Sequence, residues 1–177
     1  KQDAKVIDIE RKPKKSYAPG LYDLTELQRD ANKIFGYSAK ETLNIMQKLY
    51  ESHKVLTYPR TDSRYLSSDI VSTLPDRLKA CGVGEYRSLA NKVLTKPIKA
   101  NKSFVDDSKV SDHHAIIPTE EYVNFSNFTD KERKIYDLVV KRFIAVLFPA
   151  HEFEQLTVIA QIGNEKFVAR GKTVLTA

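Results

Sequence analysis

The sequence predicts a mainly helical α+β fold, a helical domain with short β arms from an adjoining domain, on three observations. Apolar residues recur at helical spacing through most of the stretch from Leu21 to Phe148. Ser38 with Glu41 and Thr129 with Glu132 have the spacing of capping boxes and open the clearest of these stripes. Beyond Pro149 the period falls to two on either side of Gly163-Asn164, a hairpin signal. The layout is therefore a β arm and basic linker over 1–20, a helical domain over 21–150 and a β hairpin arm over 151–177.

Taken in order, Val6–Glu10 alternates as a strand does, and the charged, proline-containing run Arg11–Lys15 reads as a linker. Ala18-Pro19-Gly20 reads as a turn. Asp23 or Thr25 can cap a helix through Leu24, Leu27, Ala31, Ile34 and Phe35 that Gly36 stops. Ser38 opens a second, with Leu43, Ile45, Met46, Leu49 and Tyr50 on its stripe, ending near Ser52. Lys54–Tyr58 is an extended run halted by Pro59. Ser67 or Ser68 starts a helix through Ile70, Leu74 and Leu78 to Gly82, kinked or split at Pro75, and Glu85–Leu94 forms another. Lys96–Asp112 has no period and reads as a long loop, a length usually kept for function. Thr129 opens the longest helix, through Ile135, Val139, Phe143 and Leu147 to Pro149. Strands follow over Phe153–Ile162 and Lys166–Arg170, and β pieces from the two ends of the chain can pair with each other.

The 177 residues are enough for a core without metals or disulfides. One cysteine, Cys81, excludes an internal disulfide framework and a cysteine zinc cluster. No apolar run of about 18 residues is present, so no membrane span is expected. A net charge of +6 suits an anionic partner, nucleic acid first. A start at Lys1 without Met, and an end at Thr173–Ala177 inside a strand pattern, lead to the expectation of a piece of a longer polypeptide.

Chemistry concentrates in Thr57-Tyr58-Pro59-Arg60-Thr61-Asp62-Ser63-Arg64-Tyr65, between an extended run and a helix. Taken singly, these residues have plain structural uses: a half-buried Tyr, a surface Arg–Asp pair, turn and cap residues. Taken jointly, a Tyr58 hydroxyl can attack a phosphodiester, and Arg60, two residues on and on the same side of an extended chain, can grip the phosphate. A phenol with an ordinary pKa of about 10 needs a base, a cation or a metal to do so. Ser111–Thr119 holds His113 and His114, either of which can donate to a phosphate or hydrogen-bond locally in a loop. Two adjacent histidines without cysteine partners make a poor zinc signature.

Four segments together, Leu21–Gln28, Phe35–Ala39, Leu56–Ser63 and Asp112–Thr119, resemble the ordered motifs of type IA DNA topoisomerases. The Tyr-Pro-Arg-Thr-Asp and His-His-Ala-Ile-Ile-Pro-Thr versions are similar to the bacterial topoisomerase III branch. The resemblance implies that Tyr58 is the nucleophile that cleaves one DNA strand and holds its 5′-phosphate. It implies that Arg60 contacts that phosphate, that Thr61 and Asp62 shape the site, and that His113, with His114 beside it, contacts DNA. Gln47 and Glu51 match polar residues near the cleavage point. The cut strand's 3′-hydroxyl later reseals the break, with no nucleotide hydrolysed. The resemblance also implies a magnesium ion held by an acidic Asp-x-Asp-x-Glu domain outside this chain. Asp8-Ile9-Glu10 offers only two carboxylates, so no metal ligand is expected here. The expected partners are DNA, mainly single-stranded, and that acidic domain, in the bacterial cytoplasm at the nucleoid. Without that domain the chain alone should be inert. Hinges are expected near Ser16–Gly20 and Phe148–His151. The competing reading is a non-catalytic single-stranded DNA-binding module, with Arg60, Arg64 and Lys12–Lys15 on phosphates and Tyr58 stacked on a base. A tyrosine recombinase would carry its tyrosine near the chain end, whereas Tyr58 lies in the first half.

Overall fold

Asp23, not Thr25, opens the first helix in the computed structural model of the chain. Its Oδ1 accepts from the Glu26 N–H at 2.7 Å, and α1 runs Leu24–Phe35. Gly36 closes it in the left-handed region at φ 75°, where a side chain would be strained. Ser38 caps α2 (Ala39–Glu51) by accepting from the Glu41 N–H at 3.1 Å. Glu41's own carboxylate turns to Lys131. The described residues are 5–16, 19–148, 151–162 and 165–174. The chain divides into two compact units, Pro19–Phe148 and the two ends, Lys1–Ala18 with Pro149–Ala177.

In the central unit the stretch from Ser67 to Gly82, expected as a helix kinked or split at Pro75, is split. A 3-10 turn spans Ser68–Thr73, and α3 (Leu74–Cys81) begins anew with Pro75 in its first turn, where the missing N–H costs nothing. Another 3-10 turn at Gly84–Tyr86 leads into α4 (Arg87–Leu94). The loop 95–129 holds two short 3-10 turns, Asp107–Lys109 and Phe125–Asn127, and isolated bridges at Val105, Ile116 and Pro118. Thr129 and Glu132 form the full reciprocal capping box that starts α5 (Asp130–Leu147).

The helices α1, α2 and α5 pack on one another, and α3 packs on α4, which also touches α5. Leu27, Met46, Leu49, Leu74, Leu78, Tyr136 and Phe143 are fully buried where they meet. Each such side chain is worth about 1.5–3 kcal/mol of transfer free energy. The α3–α4 approach is close enough that a Cβ on Gly82 would stand 2.6 Å from both the Ala90 Cβ and the Leu78 carbonyl oxygen.

The other unit is a three-stranded antiparallel sheet in the order β1 (Lys5–Ser16), β2 (His151–Ile162), β3 (Glu165–Val174). The chain ends do pair, Ile9 opposite Val158 and Ser16 opposite His151. One expectation is corrected: Arg11–Lys15 is not a linker but the second half of β1. Pro13 is accommodated because β1 is an edge strand, where a proline need not donate. A bulge between Val6 and Asp8 shifts its register. Pro149 and Gly163-Asn164 lie outside the described residues, as do Ala18 and the last three residues. The mainly helical α+β expectation is borne out.

Candidate active site

The segment that carries Tyr58 is held from both sides by hydrogen bonds to residues far off in sequence. After α2, Lys54 takes a left-handed turn at φ 56° and the chain extends. Leu56 then pairs antiparallel with Pro118, and the Thr119 N–H donates to the Val55 carbonyl at 3.0 Å. The Thr57 N–H donates to the Ile117 carbonyl at 3.0 Å. Its hydroxyl donates to the Ala115 carbonyl at 3.3 Å and accepts from the Ile117 N–H at 2.9 Å. On the other side of Tyr58, Thr61 is 7% exposed. Its hydroxyl donates to the His113 carbonyl at 3.2 Å and accepts from the Ser63 N–H at 3.2 Å. The Thr61 carbonyl receives the Leu24 N–H at 3.0 Å. The buried Ser63 hydroxyl donates to the Lys109 carbonyl at 2.8 Å. The two polar clusters read in the sequence are thus one structure, laced by the hydroxyls of Thr57, Thr61 and Ser63.

Within that frame the Tyr58 ring is half-buried between two other rings. His113 lies against it with ring centres 4.2 Å apart and planes 32° apart. Tyr50, from the last turn of α2, meets it edge-on at 5.4 Å. These contacts fix the ring from two directions and are worth about 0.5–1.5 kcal/mol each beyond area burial. Arg60 and Asp62 are exposed, and no hydrogen bond or ion pair engages either side chain among the described residues. The Arg60 guanidinium is therefore available to an incoming anion.

The remaining candidates separate. Arg64 donates through Nε to the Leu21 carbonyl at 3.0 Å and through Nη2 toward the Gly20 carbonyl at 3.5 Å, so its guanidinium is engaged in the scaffold. Gln47 Nε2 donates to Glu51 Oε1 at 2.6 Å. Glu51 lines a cleft of about 450 Å³ with Tyr50, Lys54, Leu56 and Thr119. His113 and His114 both line a second cleft of about 380 Å³ together with Tyr58. The half-buried His114 ring has its pKa pushed down by burial, against the pull of its hydrogen bond to the Ala115 carbonyl at 2.7 Å.

Sequence reasoning missed Tyr50 as a ring partner, having read it as part of a core stripe. It also missed Asp69 and Asp107, and gave no role of their own to Ser111 and Asp112 in the histidine cluster; all four line the Tyr58 cleft. Asp107 comes from the long loop and is fixed by the Ser68 N–H at 2.8 Å and the Ser68 hydroxyl at 2.7 Å. No local pattern announces such a pairing across 39 positions. The one available signal was the length of the loop.

Comparison with known proteins matches the whole chain, residues 1–177, to a family model described as DNA topoisomerase. The chain belongs to the DNA topoisomerase family. It is 82% identical over 177 residues to a DNA topoisomerase 3 of Bacillus cereus, covering all of this chain and 24% of that protein. DNA topoisomerase 3 of Bacillus subtilis (strain 168) is 60% identical over 173 residues, 98% of this chain and again 24% of the relative. These relatives bear out the resemblance to the topoisomerase III branch, and the chain spans about a quarter of their length. Full-length topoisomerase I from Thermotoga maritima shares the fold, with a TM-score of 0.66 at 22% identity over 97% of this chain and 27% of its own.

Proposed function

We propose that this chain is the part of a type IA DNA topoisomerase that supplies the nucleophile, Tyr58. The observation that carries this reading is the held Tyr58 ring beside an unengaged Arg60, in a segment laced to the His113 motif. The Tyr58 oxygen attacks the phosphorus of a single-stranded DNA backbone. A bond forms between that oxygen and phosphorus, the bond from phosphorus to the 3′-oxygen breaks, and the phenol proton is balanced by protonation of the departing 3′-hydroxyl. The 5′-phosphate stays on Tyr58, and attack by the 3′-hydroxyl reverses the exchange. Arg60 offsets the charge that builds on the phosphate oxygens in both directions. His113, stacked on Tyr58, limits the ring to one approach, and Thr61 and Ser63 maintain the turn that presents it. Asp62 and His114 support the same site, with Gln47 and Glu51 behind Tyr50.

Magnesium, implied by the family, has no ligand set among the described residues, where no three His, Cys, Asp or Glu side chains converge to hold an ion. The ion belongs with an acidic domain elsewhere in the longer polypeptide, and the chain alone is expected to bind single-stranded DNA in a salt-dependent way without cleaving it. The helical part, 21–150, is read as the moving tyrosine-bearing domain and the strands as arms of its neighbour. A bacterial cytoplasmic, nucleoid-associated setting follows from the same family reading. The test is whole topoisomerase carrying this segment, with Tyr58→Phe. The variant should bind single-stranded DNA normally and form no covalent adduct. An unchanged adduct yield would remove Tyr58 from its role.

A further inference from the structure

The 380 Å³ cleft beside Tyr58 is in the size range of a small-ligand site and is lined by a biased set of groups. Asp69 and Asp112 present exposed carboxylates that no hydrogen bond or ion pair engages among the described residues. His114 adds a third acceptor. Its Nδ1 lies 2.7 Å from the Ala115 carbonyl, which can only accept, so Nδ1 carries the hydrogen. Burial disfavours a second proton on the ring, and in the neutral ring Nε2 is the acceptor. Ile70 and Val110 supply apolar wall, and His113 and Tyr58 supply aromatic faces. Carboxylates repel a phosphate, so the Asp69 and Asp112 side of this cleft does not suit the backbone of a DNA strand. The same described residues do not converge into a cation site. What suits acceptors set among apolar and aromatic surfaces is a flat ring with hydrogen-bond donors on its edge.

We propose that this cleft reads one unpaired nucleobase bearing an exocyclic amino group, namely cytosine, adenine or guanine and not thymine, beside the bond that Tyr58 attacks. One amino hydrogen donates to Asp69 or Asp112 and the other to His114 Nε2, whereas thymine has a single edge donor, N3–H, flanked by two carbonyl oxygens that the carboxylates repel. The proposal rests on the reading of Tyr58 as the DNA-cleaving group for the reason a base comes here, but its test requires no cleavage. The chain is titrated with the 5′-monophosphates of deoxycytidine, deoxyadenosine, deoxyguanosine and thymidine, and the His114 ring protons are followed by NMR. The three amino-bearing nucleotides are expected to move the His114 resonances and to bind roughly tenfold more tightly than thymidine monophosphate. Asp69→Asn combined with Asp112→Asn, both at exposed positions, should abolish that preference while leaving the fold unchanged by circular dichroism. Equal binding of all four nucleotides, a silent His114, or a preference that survives the double substitution would overturn the pocket. Each of those results leaves the Tyr58 adduct untouched, and loss of the Tyr58 assignment would leave a measured base preference standing.

Discussion

At the residue scale the site depends on hydroxyls that hold carbonyls. Thr57 makes two hydrogen bonds to the 115–117 stretch, at 3.3 and 2.9 Å. Thr57→Val keeps the shape and removes both, so it should cost about 1–2 kcal/mol of unfolding free energy and lower the adduct yield of the whole enzyme. A urea midpoint and a cleavage assay read the two effects separately. Cys81 behaves differently. It is fully buried, and burial pushes its thiol from 9.0 up to about 12. A group whose folded pKa is raised adds stability that is complete below the unfolded value and lost as pH rises through the folded one. Burial also raises the phenols of Tyr22, Tyr86 and Tyr136. Stability should therefore be flat with respect to these groups up to about pH 9 and fall steeply above it. A series of denaturant melts from about pH 7 to about pH 11 measures this, and a thiol reagent at about pH 8 should reach Cys81 only in unfolded protein.

At the element scale two glycines separate two kinds of cost. Gly36 has open space where a Cβ would stand but a φ of 75°, so Gly36→Ala should cost about 1 kcal/mol of backbone strain. Gly82 has a negative φ, yet a Cβ there would meet Ala90 and the Leu78 carbonyl at 2.6 Å. Gly82→Ala must move Ala90 of α4 away and shift the chain at position 82 off the Leu78 carbonyl of α3, and should cost about 2–3 kcal/mol, the larger shift of the two in a urea melt. The capping box at Thr129 is linked to the site as well. Glu132 accepts from the Thr129 N–H and pairs with His53 at 2.9 Å, on the segment leading from α2 to Tyr58. Burial opposes its ionisation, but those hydrogen bonds hold its carboxyl below the usual range. Its stabilisation is present at neutral pH and is lost as pH falls through the carboxylate range. The caps and stripes were legible in the sequence because Asp23, Ser38 and Thr129 act within their own first turns. The continuation of β1 through Pro13 was not, because only the partner strand β2 makes a charged, proline-containing run extended. Nor were Tyr50 and Asp107, whose meaning lies in neighbours brought close by the fold.

At the scale of the whole molecule, the central unit is tied at its beginning to its last helix. Arg142 of α5 donates to the Gly20 carbonyl at 2.9 Å, to Asp30 at 3.1 Å and to the Tyr22 hydroxyl at 3.2 Å, and its guanidinium lies 4.2 Å from the Tyr22 ring centre. Arg64 reaches the carbonyls of two residues at the beginning of this unit, Gly20 and Leu21. Arg142→Ala should cost about 2–4 kcal/mol, because it leaves the Asp30 carboxylate, already hydrogen-bonded by Tyr22, without its cation. The four motifs made the family readable from the sequence, since they lie in order along one chain. The chain's share of the relatives, 24% of their length, sets where the chemistry must be tested. The most direct measurement uses the whole topoisomerase polypeptide carrying this segment, a single-stranded oligonucleotide labelled at its 3′ end, and peptide mapping of the trapped covalent product. The label should remain on one peptide, joined through a 5′-phosphate to Tyr58, and disappear in Tyr58→Phe. A labelled adduct on any other residue, or an undiminished one in Tyr58→Phe, would contradict the assignment of Tyr58 as the nucleophile.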